Sequence, residues 1–318
     1  MMGSESSSYR PKRRPSDSSP EAPNKKRPPL DEENTANDPE DAITQEEIQS
    51  IGTPSDNPSQ PGKIRNAFSE LMAPKPKTKT KTHAASSATN NNPYAGRDGL
   101  GYYVEKGEYL PVGAKIFADA YFVAIPDMYP KATVHYLLLP RSADKNRLHP
   151  FDAFDDADFL YSVRGEANIL AGLVARELQR QIGEHSASEA PRRAVLNGEV
   201  EAELDERGRV VLPAGRDWKK ELKVGVHAHP SMNHLHVHVV SRDMHSDRMK
   251  VRKHYNSFTT DFFVPLADFP LAKDDPRRNQ AGWHEQPMVC WRCGRDFGNK
   301  FKELKKHLEK EFDEWKRE

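Results

Sequence analysis

Runs of apolar and aromatic residues, bounded by turn residues, predict five strands in the chain beyond residue 96. They cover residues 115–124, 134–139, 222–226, 234–241 and 258–264. Apolar residues that recur at steps of three and four predict an amphipathic helix over 156–182, capped by Asp155 or Asp156. The apolar stripe of that helix consists of Phe159, Val163, Leu170, Leu173, Val174 and Leu178. A few antiparallel strands with helices on one side predict an α+β fold.

Two parts of the chain depart from this pattern. We interpret residues 184–217 as an insertion, in which residues 195–212 predict a hairpin turned at 205–208. The first 95 residues are rich in Pro, Ser, Asn, Lys and Glu and poor in aromatics. Such a segment cannot bury enough apolar surface to offset its ordering entropy. We therefore expect a disordered tail, with a short helix at 64–72.

The tail carries basic clusters at 12–14 and 25–27, with prolines between them. Their spacing resembles a bipartite nuclear-import signal, and a solvated basic tail is the alternative. A third block, at 75–82, alternates Lys with Thr and suits non-specific contacts with phosphates. The sequence thus predicts a nuclear protein.

Composition narrows the functional classes. The formal net charge of the 318 residues is zero, so overall charge argues neither for nor against a polyanionic partner. No apolar run approaches the roughly 20 residues that cross a bilayer, and the N-terminus lacks the apolar core of a signal peptide. We expect no membrane partner. Cys290 and Cys293 are the two cysteines, and their C-x-x-C spacing favours metal ligation or a redox pair over a disulfide framework.

Five of the thirteen histidines fall between residues 227 and 238. In a strand, His234, His236 and His238 would share one face, because side chains alternate. Three imidazoles in register are costly to bury as structure alone. They predict either a divalent-metal site, with Asp243 as the nearest downstream acid, or a nucleophilic imidazole whose neighbours bind phosphate.

The stretch HLHVHVV resembles the signature of the histidine-triad (HIT) nucleotide hydrolases and transferases. Three stretches resemble the aprataxin branch, which removes AMP from 5′-adenylated DNA: DMYPKATVHYLLLPR (127–141), GVHAHPSMNHLHVHVVS (225–241) and RKHYNSF (252–258). The resemblance covers residues 96–318. The sequence departs from the family pattern in having the insertion and in lacking a forkhead-associated domain, so we expect a fungal-type member. The resemblance implies a HIT-like antiparallel sheet with helices, fused to a small ββα-like zinc finger.

The same resemblance implies roles for four histidines. His236 would attack the AMP phosphorus as the nucleophile, which gives a covalent histidine–AMP intermediate. His234 and His238 would hold the phosphate and the phosphoanhydride. His227 would act as general acid for the leaving 5′-phosphate, or would contact it. His229 departs from the family pattern, and we assign it no role.

Further residues are expected to bind the nucleotide and its phosphate groups. Asp127 matches the family position that binds the ribose hydroxyls, and a turn-capping role is the alternative. Lys131 and Lys253 would contact phosphates, or would be surface lysines. Ser231 and Met232 would supply hydroxyl and backbone donors from a turn.

The C-terminal segment reads C-x2-C-x3-F-x6-L-x2-H-x3-E and predicts a structural zinc site formed by Cys290, Cys293, His307 and Glu311. The resemblance supports the unusual glutamate, since some fungal aprataxins use this ligand set. A redox C-x-x-C would need a thioredoxin-like context, which is absent from the sequence. We expect one zinc ion and no cofactor for the chemistry.

Basic residues around this motif predict contacts with the DNA backbone rather than sequence reading. They are Arg292, Arg295, Lys300 and Lys302.

The sequence thus predicts a tail over 1–95, a HIT catalytic domain over 96–275 and a zinc-finger module over 276–318. We expect a monomeric DNA 5′-adenylate hydrolase in single-strand break repair. Its partners would be adenylated nicks, double-strand ends and RNA–DNA junctions, with AMP as a product. One alternative is a HIT hydrolase of free nucleotides such as AMP-amides or dinucleoside polyphosphates. Another is a zinc-dependent DNA-binding regulator whose histidine cluster holds a structural metal.

Overall fold

A computed structural model describes Tyr94, residues 96–279 and residues 281–318. The predicted disordered tail, its helix at 64–72 and its basic clusters lie outside the described residues. Among the helices that are described, none is long and apolar enough to cross a bilayer.

The described residues fold into six α-helices and eight strands, joined by turns and short 3₁₀ helices. The helices are α1 (Gly101–Lys106), α2 (Pro150–Ala153), α3 (Ala157–Ile182), α4 (Ala190–Leu196), α5 (Arg252–Thr259) and α6 (Phe301–Trp315). The strands are β1 (Phe117–Ala118), β2 (Phe122–Pro126), β3 (His135–Pro140), β4 (Glu203–Leu204), β5 (Val210–Val211), β6 (Leu222–His227), β7 (Val237–Ser241) and β8 (Phe263–Pro265).

Six strands form one antiparallel sheet in the order β1-β2-β3-β7-β6-β8. Strand β7 lies between β3 and β6, with His238 opposite Leu137 on one side and opposite Gly225 on the other. Strands β4 and β5 form a separate hairpin. The predicted α+β class is confirmed.

Helix α3 covers one face of the sheet, and its predicted start is confirmed. The side chain of Asp156 accepts hydrogen bonds from the backbone N–H groups of Asp158 and Phe159, both at 3.1 Å. The predicted stripe packs in a core with Val237 and Val239 of β7. Leu173 is the exception, because 36% of its surface is exposed, so its assignment to the stripe was wrong.

The predicted single strand at 115–124 was wrong, because the chain turns within it. Strands β1 and β2 pair with each other around Asp119, whose carboxylate accepts the N–H groups of Tyr121 and Phe122 at 2.7 Å. An aspartate that bonds to the backbone two and three residues ahead stabilises a turn.

Two further strand boundaries differ from the prediction. Strand β7 begins at Val237, so the residues from His234 to His236 precede the strand instead of forming its first part. The predicted strand at 258–264 is replaced by the end of α5 and the short strand β8. The insertion contains the predicted hairpin, turned at Gly208 with φ 73°, but residues 195 and 196 belong to α4.

Helix α5 and the C-terminal module cover part of the opposite sheet face and share a core with it. Val240 and Tyr255 pack with Met288, Phe297 and Leu304 in that core. The Tyr255 hydroxyl donates to the backbone oxygen of Val289 at 2.8 Å and accepts the N–H of Trp291 at 3.0 Å. The two strands expected in the module are reduced to one isolated bridge, between Val289 and Asp296.

Candidate functional site

A pocket opens on the sheet face opposite α3, beside α1 and α5. Successive strand residues point to opposite faces, so Val237 and Val239 enter the core under α3 while His238 faces the pocket. His236, the residue just before the strand, also lines the pocket. The pocket contains most of the predicted catalytic and nucleotide-binding residues. Its polar and charged lining is formed by Asp127, Lys131, His135, His227, Ser231, His236, His238 and Ser257. Its apolar and aromatic lining includes Leu100, Tyr103, Ile125, Met128, Tyr129, Leu137, Met232 and Phe258.

His236 is held by the backbone just before β7. Its Nδ1 atom lies 2.7 Å from the backbone oxygen of His234. A carbonyl oxygen only accepts, so Nδ1 carries the proton and Nε2 keeps its lone pair. Burial lowers the pKa of His236, although the hydrogen bond to His234 acts in the opposite direction. The ring is therefore neutral near pH 7 and presents a nucleophilic nitrogen.

His238 is oriented by a chain of hydrogen bonds that begins at the backbone. The N–H of Lys131 donates to Nδ1 of His135 at 3.3 Å, and Nε2 of His135 lies 2.9 Å from Nδ1 of His238. Because His135 accepts at Nδ1, it donates from Nε2, which leaves the proton of His238 on its own Nε2. That buried Nε2 has no hydrogen-bond partner among the described residues. It is a donor available to a phosphate oxygen.

His227 lies at the end of β6, across from these groups. Its ring centroid is 4.5 Å from that of His238 and 4.8 Å from that of Phe258. Burial holds the pKa of His227 well below the usual histidine value. His227 therefore lines the pocket as a neutral imidazole.

Two of the predicted catalytic and nucleotide-binding residues, His234 and Lys253, are not among the pocket-lining residues. His234 packs against the backbone of α1, where a β-carbon on Gly101 would lie 2.8 Å from Cε1 of the ring. Its main contribution in this structure is the backbone oxygen that holds His236. Lys253 lies on the first turn of α5, whose later residues Ser257 and Phe258 reach the pocket instead.

Asp127 caps a turn and also lines the pocket. Its Oδ1 atom accepts the backbone N–H of Tyr129 at 2.7 Å, which caps the turn, while Oδ2 lies 3.5 Å from Nε2 of His135. The carboxylate also lines the pocket. Ser231 and Met232, which are 4% and 7% exposed, line it from the turn before the histidines.

Sequence reasoning missed His135 and the apolar walls. His135 lies within the predicted strand at 134–139, but its neighbour depends on the register between β3 and β7, which no local pattern reveals. Tyr103 lies in α1 and Leu100 just before it, and the strand and helix patterns did not predict this six-residue helix. Phe258 was assigned to a strand and is part of α5.

The metal interpretation of the histidine cluster needs a different acid from the one expected. Asp243 is 1% exposed, and its carboxylate accepts the N–H and Oγ1 of Thr133 at 3.0 and 2.9 Å. The acid near the histidines is Asp127, which with His135 and His238 offers three atoms within 4.8 Å. The 2.9 Å between the two imidazole nitrogens is a hydrogen-bond distance.

The C-terminal module gathers the four predicted zinc ligands. Atoms of Cys290, Cys293, His307 and Glu311 lie within 4.8 Å of one another. The sulfur of Cys293 is 3.1 Å from Nε2 of His307, which is 3.1 Å from Oε1 of Glu311. Two sulfurs, one imidazole and one carboxylate gathered this closely are donors that zinc binds. Gly294 follows the second cysteine, and its φ of 74° lets its N–H donate to the backbone oxygen of Cys290 at 3.0 Å, which closes the turn.

The predicted DNA-contacting residues of the module are all exposed, but they differ in their partners. Arg292 forms two ion pairs within the protein, with Nη1 2.7 Å from Glu311 and Nη2 2.6 Å from Glu318. Arg295 lies 4.9 Å from the ring of Phe297, and Lys300 pairs with Glu303 at 3.4 Å. Lys302 extends from the first turn of α6. Arg292 is thus positioned to orient the Glu311 carboxylate.

Comparison with known proteins finds a family match for the domain that contains the histidine pocket and another for the C-terminal module. A HIT domain model matches residues 113–245, and a model of the C2HE / C2H2 / C2HC zinc-binding finger matches residues 259–314. The aprataxin-like protein of Saccharomyces cerevisiae is 32% identical over 221 residues, which are 68% of this chain and 96% of that protein. The aprataxin-like protein of Schizosaccharomyces pombe is 32% identical over 225 residues, which are 69% of this chain and 82% of that protein.

Solved structures of aprataxin orthologs are also similar to this chain. A crystal structure of the aprataxin ortholog Hnt3 in complex with DNA has a TM-score of 0.53 and 28% identity, over 69% of this chain and 96% of that one. The Hnt3 crystal structure from Schizosaccharomyces pombe has a TM-score of 0.51 and 29% identity, over 68% and 92%. With its histidine pocket and four-ligand finger, the chain belongs to the aprataxin family.

Proposed function

We propose that this protein removes AMP from adenylated 5′ ends of DNA through a covalent intermediate on His236. The observation that carries the proposal is the 2.7 Å contact between Nδ1 of His236 and the backbone oxygen of His234. It leaves a neutral Nε2 facing a pocket that the protonated Nε2 of His238 also reaches. A lone pair beside a phosphate-binding donor is what nucleophilic attack on phosphorus requires.

In the first step, Nε2 of His236 forms a bond to the AMP phosphorus. The bond from that phosphorus to the bridging oxygen breaks, and its electron pair leaves with the DNA 5′-phosphate. His238 would donate to a non-bridging oxygen, where negative charge grows in the transition state.

The neutral state of His227 refines its expected role. A phosphate loses its second proton at a pKa of about 6, so it leaves as an anion without taking a proton. Because burial favours neutral His227, we propose that it contacts the leaving phosphate instead of protonating it.

In the second step, a water oxygen bonds to phosphorus and the bond to Nε2 breaks, with its electron pair returning to His236. The water gives up one proton, which passes to solvent, and AMP is released. Asp127, which lines the pocket, would bind the ribose diol.

The C-terminal module supports DNA as the substrate class. Arg295, Lys300 and Lys302 are exposed and suit contacts with backbone phosphates. The related Hnt3 was crystallised in complex with DNA, and also with DNA and guanosine. We propose that the protein acts as a monomer in the nucleus on nicks, double-strand ends and RNA–DNA junctions.

The decisive experiment uses duplex DNA capped with labelled 5′-AMP. We expect release of 5′-phosphate DNA, with label trapped on the protein during turnover. His236→Ala should abolish both. Activity confined to free AMP-amides or dinucleoside polyphosphates would favour the small-molecule hydrolase, and full activity in the variant would exclude the covalent route.

Metal analysis tests the DNA-binding regulator. We expect one zinc per chain, held by the finger ligands. A second bound metal that is lost in His135→Ala would favour a metal at the histidine cluster.

A further inference from the structure

The insertion at 184–217 contacts Arg317 and Glu318, which follow α6 at the far end of the finger. The backbone N–H of Ala187 donates to the oxygen of Arg317 at 2.9 Å. The N–H and Oγ of Ser188 reach the backbone oxygen of Glu318 at 3.2 and 2.6 Å. These bonds join the insertion to the residues just after α6.

Arg216, at the other end of the insertion, makes the most extensive contact with the finger helix. Its guanidinium carbon lies 4.9 Å from the ring of Trp218 and 5.0 Å from the ring of Trp315. Its Nη1 donates to the backbone oxygen of Trp315 at 2.7 Å, and Nη2 lies 3.3 Å from Glu221. The side chain is only 6% exposed. A desolvated cation held between two indole rings is a strong contact.

Glu189 fixes the insertion to the catalytic domain. Its carboxylate accepts the indole N–H of Trp218 at 2.7 Å, the backbone N–H of Arg216 at 3.0 Å and the amide of Gln179 at 3.2 Å. Glu189 is 3% exposed. A β-carbon on Gly215 would lie 2.4 Å from this carboxylate, so the two ends of the insertion pack closely together. The insertion is anchored at both ends to α3 and to the finger.

A chain of ion pairs continues from the insertion to the zinc ligands. Nη2 of Arg216 lies 3.7 Å from Glu318, which pairs with Arg292 at 2.6 Å. Arg292 pairs in turn with Glu311 at 2.7 Å. Three successive ion pairs therefore connect Arg216 of the insertion to Glu311, one of the predicted zinc ligands.

We propose that residues 184–217 form a clasp that fixes the finger relative to the histidine pocket, with Arg216 as its positioning residue. The inference rests on the proposed action at adenylated DNA ends. Backbone contacts set the register of a protein on DNA, so a finger that moves would misplace the adenylated end in the pocket. A small adenylated compound makes no contact with the finger and should not depend on the clasp.

The test compares Arg216→Ala with Arg209→Ala. Arg209 is an arginine of the same insertion, but it pairs with Asp205 on the exposed β4–β5 hairpin. We expect Arg216→Ala to lower kcat/KM on adenylated duplex DNA about tenfold or more, because small misplacements of a reacting group are costly. Hydrolysis of an AMP-amide should stay within about twofold. Arg209→Ala should leave both activities unchanged.

Equal losses on the two substrates would overturn the proposal, since they would indicate damage to the pocket itself. Unchanged activity on DNA would overturn it as well. Ser188→Ala, at an exposed position, serves if Arg216→Ala does not fold, and a smaller loss restricted to DNA is then expected. No loss in that variant would count against the clasp.

Hydrogen exchange separates the clasp from the proposed activity. Arg216→Ala should speed amide exchange in α6 and leave exchange in β7 unchanged, whatever the substrate is. If the parent protein released no AMP from DNA, the proposed function would fail while this measurement still judged the clasp. Unaltered protection of α6 would overturn it.

Discussion

Nε2 of His135 lies 2.9 Å from Nδ1 of His238, so a residue of β3 determines which nitrogen of His238 carries the proton. We predict that His135→Ala lowers kcat about tenfold to a hundredfold, because the phosphate donor loses its fixed orientation. The position of the His238 ring protons, measured by NMR, should become mixed. His185→Ala, on an exposed histidine, is the control. A normal rate with a single retained tautomer would contradict this role.

The buried histidines predict a loss of stability in mild acid. Burial lowers the pKa of His135 to about 4 and holds the pKa of His227 and of His238 well below the ordinary value of 6.5. Below about pH 6.5 the unfolded chain therefore binds protons that the folded chain does not. The free energy of unfolding should fall by about 1.4 kcal/mol per pH unit for each histidine involved.

Urea unfolding at pH 7.5, 6.5 and 5.5 measures this dependence. The full contribution is present above pH 6.5 and is lost as the pH falls towards the folded-state values. Replacing His135 by glutamine should make the decline shallower. A free energy that stays constant down to pH 5.5 is the result that would disprove the idea.

Glu311 is expected to be a zinc ligand, although carboxylates are uncommon at that position. We predict that Glu311→Gln weakens zinc binding by about tenfold to a hundredfold, since a charged donor is lost and Arg292 loses one of its two carboxylate partners. Glu309→Gln, on an exposed residue of the same helix, is the matched control. Competition with a chromophoric chelator measures both, and equal affinities would remove Glu311 from the ligand set.

Gly225 allows β8 to approach β6 beside the pocket. A β-carbon there would lie 2.3 Å from the backbone oxygen of Val264 and 2.8 Å from the ring of Phe263. Gly225→Ala should therefore destabilise the protein by about 1–3 kcal/mol. Gly172→Ala, on α3, meets no atom within 4 Å and should stabilise it by about 0.5–1 kcal/mol. Thermal unfolding of the two variants gives the comparison, and similar melting temperatures would contradict it.

Periodic and spaced patterns were the reliable guides from sequence. Helix α3 and its cap at Asp156 follow from apolar residues at regular steps, and the four finger ligands follow from their spacing. These features depend on residues close together in the chain, so local reasoning reaches them.

Features that depend on strand pairing or on backbone bends were missed. The alternation in HLHVHVV is the same for a strand and for the bend that brings Nδ1 of His236 to the oxygen of His234. The contact between His135 and His238 requires the register of β3 against β7. Helix α5 has only eight residues, too few for a periodic signal to separate it from a strand.

The Tyr255 hydroxyl, shared between Val289 and Trp291, connects the cysteine turn to the helix that carries Phe258 into the pocket. A chelator or a thiol oxidant that released the metal would loosen this turn and withdraw support from that wall of the pocket. The reaction would then fail in a cell under oxidative stress without any reacting group having been modified. The enzyme's vulnerability to such stress would lie in its finger, at a distance from the chemistry it disables.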